Sequence, residues 1–185
     1  LDDLCYKKIL ENNAIAAPLG YHGFPKPTCI SPNHVICHGI PSYDKILHDG
    51  DIINIDVTVI VDGWYGDTSR MYYVGKPSIK AKRLVENTYE CMMIGIEQVK
   101  PGNTIGDIGF AIQQHAEKNG FSVVRDFCGH GVGKVFHDEP NIPHFGKKGK
   151  GIVLQEGMIF TIEPMINEGS WEAIISRFDG WTATT

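Results

Sequence analysis

The spacing of apolar residues changes several times along the chain, and each change predicts an element. Leu4, Cys5 and Ile9 recur at helical spacing before Asn12-Asn13 and predict an opening helix. A loop rich in glycine and proline follows from Pro18 to Pro27, carrying Tyr21, His22 and Phe24. Two strand-like runs, residues 28–38 and 51–61, are separated by the turn Gly39-Ile40-Pro41-Ser42 and a short polar stretch, and a third run, 66–74, returns after Asp62-Gly63. The period then lengthens. Ala81, Leu84, Val85, Thr88, Cys91, Met92, Gly95, Ile96 and Val99 fall on one face of a long helix, capped by Ser78 and stopped by Lys100-Pro101-Gly102. Thr104 with Asp107 three residues on has the form of a capping box and opens a second helix through Ile108, Ala111 and Ile112 to Asn119-Gly120. Residues 121–185 read as short strands with glycine-rich turns. Strands, then helices, then strands predict an α+β fold around a mainly antiparallel sheet.

The run from Asp51 to Arg70 is the most informative. Alternation puts Ile53, Ile55, Val57 and Val59 on one face of the strand, and Asn54, Asp56, Thr58 and Ile60 on the other. Asp62-Gly63 is a strong two-residue hairpin turn. Closing there pairs Val61 with Trp64, Thr58 with Asp67 and Asp56 with Ser69, so Asp56 and Asp67 become diagonal neighbours on one face. Diagonal neighbours lie roughly 7–8 Å apart, within reach of one shared ion. A solvated face would explain the polarity equally simply. Against that, aspartate is depleted in strand interiors and neighbouring like charges repel unless a cation lies between them. A slip of one residue in register would undo the pairing.

Composition narrows the classes. A chain of 185 residues carries enough sequence for one domain, taken here as 1–185. Seventeen Lys and Arg against 22 Asp and Glu give a net charge of −5, the wrong balance for an electrostatic nucleic-acid binder. The sequence shows neither a membrane span nor a signal peptide. Cysteines at positions 5, 29, 37, 91 and 128 form no CxxC pair, and scattered free thiols suit a reducing, cytoplasmic compartment. The chain opens at Leu1 inside a helix-like segment and stops at Thr185 after a strand-like one, which reads as a piece trimmed at both ends.

Histidine is over-represented, with 8 residues, and directs attention to further donors. His130 sits between glycines in Cys128-Gly-His-Gly-Val-Gly133, and His137 follows seven residues later. His38 ends a strand before a turn, where a histidine more often packs than reacts. Alternation over 158–163 puts Met158, Phe160 and Ile162 on one side and Ile159, Thr161 and Glu163 on the other, with Pro164 holding Glu163 extended. A carboxylate after so apolar a run is costly unless it is paired or binds metal. Asp56, Asp67, His130 and Glu163 form an oxygen-rich set with one nitrogen and no thiolate. That mix favours manganese or iron(II), with cobalt also suited, over a structural zinc. Two such ions sharing carboxylates lie about 3.5–4 Å apart in metal-assisted hydrolases, where a bridging water attacks a polarised carbonyl.

These segments together resemble the type I methionine aminopeptidases. The likeness runs through Gly20-Tyr-His-Gly-Phe-Pro25, Val35-Ile-Cys-His-Gly-Ile-Pro41, Asp51-Ile-Ile-Asn-Ile-Asp-Val-Thr58 and Gly66-Asp-Thr-Ser69. It continues through Gly129-His-Gly-Val-Gly133, His137-Asp-Glu-Pro140, Phe160-Thr-Ile-Glu-Pro-Met165 and Asp179-Gly-Trp-Thr182. The resemblance implies the pita-bread fold, a curved antiparallel sheet with helices on its outer face, and removal of initiator methionine before a small second residue. It implies Asp56, Asp67, His130 and Glu163 as ligands of two divalent ions, with Asp67 bridging. His38 would contact the substrate, His137 would hold the tetrahedral intermediate, and Glu163 would shuttle protons. Tyr21, Phe24, Cys29, Phe136 and Trp181, with His38 and His137, would bind the substrate, an apolar slot suited to a thioether. The 32 residues between His130 and Glu163 leave no room for the type II insertion. The resemblance further implies nascent peptides as substrates, met at the ribosome or away from it, and a cytoplasmic monomer with no nucleic-acid or membrane partner. The family's second bridging glutamate lies beyond the segment matched at Asp179–Thr182, and a preceding N-terminal segment is also unmatched. The expectation is therefore a single incomplete catalytic domain that is impaired or inactive as it stands. Two other readings are a relative that cleaves before proline and a non-catalytic binding protein on the same fold.

Overall fold

The computed structural model describes residues 1–185. The chain divides into two compact units: Leu1–Ser78 with Gly133–Phe136 and Ile174–Thr184, and Ile79–Val132 with His137–Ala173 and Thr185. No helix is long and apolar enough to cross a membrane.

The first unit is organised by one long hairpin. Helix α1 (Asp2–Glu11) leads into β1 (Ile15–Ala16), followed by β2 (Cys29–Pro32), β3 (Val35–Cys37), β4 (Ile52–Val61) and β5 (Trp64–Tyr73). Strand β4 is the hub: β1 and β2 take successive stretches of one edge, and β5 pairs along the whole of the other. The register of the hairpin is the one the sequence predicts, with Val61 opposite Trp64, Thr58 opposite Asp67 and Asp56 opposite Ser69. The face carrying Val57 and Val59 packs against Ile9, Ala14 and Ala16, so α1 covers that side of the sheet. The opposite face is not a solvated one: Thr58 is 2% exposed and Asp56 half-buried.

Two expectations need correction here. The run 28–38 is not one strand. Asn33 takes a left-handed conformation (φ 52°), which breaks it into β2 and β3, and His38 (φ 54°) lies past the end of β3. Strand β5 starts at Trp64 rather than at residue 66, because the two-residue turn lets pairing begin at once.

The second unit is built on two helices, α2 (Ile79–Glu97) and α3 (Ile105–Lys118). The capping box forms as predicted: the Asp107 amide donates to the Thr104 hydroxyl, and the Thr104 amide donates to the Asp107 carboxylate. Cys91, Ile108, Ile112, Ala116 and Ile142 are fully buried in its core, with Phe121, Val123, Leu154 and Ile166 around them. The buried stripe of α2 runs through Asn87, Cys91 and Gly95, whereas Ile96 and Val99, predicted on that stripe, are more than 40% exposed. Short pairs complete the unit: β6 (Ser122–Val123) with β9 (Ile166–Asn167), and β7 (Gly129–Gly131) with β8 (Asp138–Ile142). Residues 158–163 do not form a full strand; one bridge joins Phe160 to Gly131. Their alternation nevertheless holds, since Met158, Phe160 and Ile162 pack on the core and Ile159 is 65% exposed. In the first unit β10 (Ile174–Ile175) and β11 (Ala183–Thr184) form a small sheet with β3.

Candidate metal centre

The first donor pair is made by strand register alone. Asp56 and Thr58 alternate on one face of β4, and their partners Ser69 and Asp67 present the same face of β5. Asp56 and Asp67 are thus diagonal neighbours, separated by one step of each strand. Across the other edge of β4, Cys29 lies directly opposite Asp56, so its thiol shares that face. Burial pushes the Cys29 thiol strongly upward, and the Asp56, Cys37 and Asp67 charges push it further in the same direction. Cys29 is therefore a protonated, unreactive thiol beside two carboxylates.

The second pair depends on close backbone approach. The Gly129 Cα faces the Thr161 carbonyl, and that of Gly131 faces the Glu139 carbonyl, so a Cβ at either glycine would overlap backbone atoms. Within this tight packing the Thr161 amide donates to the His130 carbonyl at 2.9 Å, and the His130 amide donates to the Thr161 hydroxyl at 3.0 Å. The same hydroxyl donates to Glu163 Oε1 at 2.6 Å. One side chain thereby fixes the His130 backbone and the Glu163 carboxylate together.

The His130 ring, 7% exposed, places Nδ1 2.9 Å from the Gly131 carbonyl. A carbonyl only accepts, so Nδ1 carries the proton, and in its neutral form the ring presents a lone pair at Nε2. That Nε2 lies 3.5 Å from Glu163 Oε1. With the ring neutral, these are two acceptors that a shared cation would join. An imidazole whose far nitrogen donates to a backbone carbonyl is also the usual arrangement of a metal-ligating histidine. The donor chemistry therefore fits a divalent ion, in one carboxylate pair and one imidazole–carboxylate pair. No cluster of three or more such side chains closes around a single point in the structure.

The other predicted residues fall into two groups. In the first unit, Tyr21 packs on Phe136 at 4.8 Å between ring centroids, and Phe24 meets Trp181 edge-on at 5.2 Å. His38 meets the same Trp181 at 6.2 Å, and its burial lowers its pKa, favouring the neutral ring. In the second unit, the ring of His137, an exposed residue, lies 4.3 Å from that of His130.

Three residues escaped the sequence reading as site members. Tyr65 stacks on Phe136 at 5.3 Å; its two-residue spacing from Asp67 already placed it on the carboxylate face. Thr161 falls on the Glu163 side of its segment by alternation, and tertiary packing adds its double hydrogen bond. His144 is fully buried, and its Nε2 accepts the Glu163 amide at 3.1 Å. Desolvation lowers its pKa to about 3, so it is neutral. No periodicity in Pro143-His144-Phe145 could have announced that contact.

Comparison with known proteins yields a consistent group. Residues 1–181 match the model of metallopeptidase family M24. A methionine aminopeptidase of Rickettsia prowazekii is 63% identical over 185 residues, covering all of this chain and 71% of the relative. The crystal structure of methionine aminopeptidase from Rickettsia prowazekii superposes with a TM-score of 0.98 at 62% identity, covering all of this chain and 74% of that one. A prolidase from Pyrococcus furiosus superposes less well, with a TM-score of 0.66 at 30% identity over 76% of this chain and 42% of that one.

Proposed function

We propose that this chain, which belongs to metallopeptidase family M24 and within it to the methionine aminopeptidases, removes the amino-terminal methionine from peptides whose second residue is small. Its α+β architecture is the pita-bread fold of those relatives. The observation that carries a metal-dependent hydrolysis is the approach of His130 Nε2 to Glu163 Oε1, 3.5 Å apart, with Nδ1 turned to the Gly131 carbonyl.

Asp56, Asp67, His130 and Glu163 are the donors we assign to two divalent ions, with manganese, iron(II) and cobalt all suited to an oxygen-rich set. The assignment rests on kinship together with the donor chemistry of each pair. When bound, such ions polarise a scissile carbonyl and make water a nucleophile near neutral pH. Glu163, held by the Thr161 hydroxyl, takes a proton from the attacking water and returns it to the leaving amine. His38, half-buried and with its pKa lowered toward the neutral ring, contacts the substrate beside its scissile amide, and the exposed His137 supports the tetrahedral intermediate. Tyr21, Phe24, Cys29, Phe136 and Trp181 line an apolar slot for the methionine side chain, an environment suited to a flexible thioether. We further read the chain as a cytoplasmic monomer acting on nascent chains.

The test is methionine release from Met-Ala-Ser with manganese or iron(II) under anaerobic conditions, beside Leu-Ala-Ser, an Xaa-Pro peptide and the His130→Ala variant. Methionine-selective release that the variant lacks supports the reading. Cleavage of the Xaa-Pro peptide instead would move the chain toward the prolidases, and metal-independent release would end the proposal.

A further inference from the structure

His144 is an unusual core residue. It is fully buried, it makes one hydrogen bond, and its Nδ1 has no partner. The single bond is the one received at Nε2 from the Glu163 amide. Accepting there requires a lone pair, so the ring is neutral and its proton sits on Nδ1, buried and unsatisfied. A leucine or phenylalanine would fill the same space without burying an unsatisfied N–H. It would also leave the Glu163 amide without its acceptor, and buried backbone donors in native proteins are almost always paired.

The local backbone shows why an imidazole is used. Thr161 donates its amide to the His130 carbonyl, and in extended chain the amide two residues on points the same way. The ladder ends there, and at Glu163 the ring of His144 stands in for the missing carbonyl. Pro164 has no amide with which to continue, and it restricts Glu163 to extended conformations. Glu163 is thus held at two points: its amide by His144 and its Oε1 by Thr161, whose hydroxyl also receives the His130 amide.

We infer that His144 is a positioning residue for Glu163, its Nε2 fixing the backbone from which that carboxylate is aimed beside His130. The inference rests on Glu163 acting as a ligand, and its test separates the two ideas. In the metal-free full chain, nitrogen-15 spectra should show His144 as the Nδ1–H tautomer, with a coupling across the hydrogen bond from Nε2 to the Glu163 amide. An Nε2–H tautomer overturns the inference whether or not any ion binds.

Manganese(II) is the probe of the consequence. His144→Phe keeps the bulk and removes the acceptor; it should weaken manganese binding by roughly 10–100-fold, the range for groups that orient a ligand. His144→Gln offers an amide oxygen to the same N–H and should recover most of that loss, even where both variants melt at similar temperatures. Unchanged affinity in His144→Phe, or no recovery in His144→Gln, overturns the inference. Should the unaltered chain bind no manganese, the metal reading fails by itself. Exchange of the Glu163 amide then decides: about tenfold faster in His144→Phe and unchanged in His144→Gln supports positioning, and unchanged in both refutes it.

Discussion

The two donor pairs are built by different means. Asp56 and Asp67 sit on a regular hairpin whose ten-residue strands pair without a bulge, so their shared face follows from alternation and one turn. His130 and Glu163 sit on irregular chain, where a single bridge joins their segments and the register of β7 against β8 shifts at His130. There the geometry is set by glycines pressed against carbonyls and by side chains that replace ladder bonds. A hairpin places donors through a period that many residues share, so one substitution perturbs it little. A close-packed crossing places them through a few contacts, each of which one substitution can remove.

The sharpest way to break that contrast is to add one methyl group to each. Gly131→Ala drives a Cβ into the Glu139 carbonyl and Gly129→Ala into the Thr161 carbonyl, both of them backbone that must shift. Each should destabilise the chain by about 3 kcal/mol or more, the upper range of overpacking. Gly66→Ala, on the hairpin, meets nothing nearer than the Val59 side chain at 3.9 Å and should stay within about 0.5 kcal/mol. Thermal unfolding of the three variants measures the difference. Equal melting temperatures would show that the crossing is as forgiving as the hairpin.

A smaller effect follows from the hydroxyls. Thr161→Val keeps the shape of the side chain but strips the acceptor from the His130 amide and the donor from Glu163, which should cost about 1–3 kcal/mol. Thr161→Ser restores both bonds and should recover most of the loss. On the hairpin, the Ser69 hydroxyl receives only an exposed 3.3 Å bond from Asn54, so Ser69→Ala should change stability by less than about 0.5 kcal/mol. Denaturant midpoints at constant slope would separate these cases.

The same contrast explains what the sequence made legible. The pairing of residues 52–73 could be read because each position repeats a two-residue rule and Asp62-Gly63 leaves one closure. The capping box at Thr104 could be read because both partners lie within one turn. In residues 158–163 the alternation told which side chains meet the core, although no strand forms there. The single strand expected over 28–38 failed because the left-handed turn at Asn33 leaves only a weak local signature. On α2 the period pointed to Ile96 and Val99, while the chain buries Asn87, whose carbonyl oxygen faces the Cys91 thiol at 3.7 Å. His144 was invisible because its partner lies 19 residues away on a segment with no shared period. The residue types of the candidate site could be singled out by pattern; the contacts that aim them come from tertiary packing.

The smallest effect concerns a feature the two units share. At the entrance to β4, Asp51 is held below the usual aspartate range by the His48 amide, and the Asn33 side chain adds to it. At the entrance to α3, the Thr104 hydroxyl and amide hold Asp107 down in the same way, and the Gly149 amide contributes. Both folded values lie below the unfolded one. Each carboxylate therefore stabilises the fold above the unfolded aspartate pKa, about 3.9, and loses that contribution as the pH falls through its lower folded value. Carbon-13 titration of the two carboxyl groups should give midpoints below the ordinary aspartate value. Thr104→Val should return Asp107 upward and leave Asp51 unmoved. If Asp51 moved with it, the two ties would be coupled through the fold rather than local. If neither midpoint were low, the hydrogen bonds at these entrances would not favour the charged form. Because both ties are short-range and lie at the entrances of a strand and a helix, acid should loosen hairpin and helix alike.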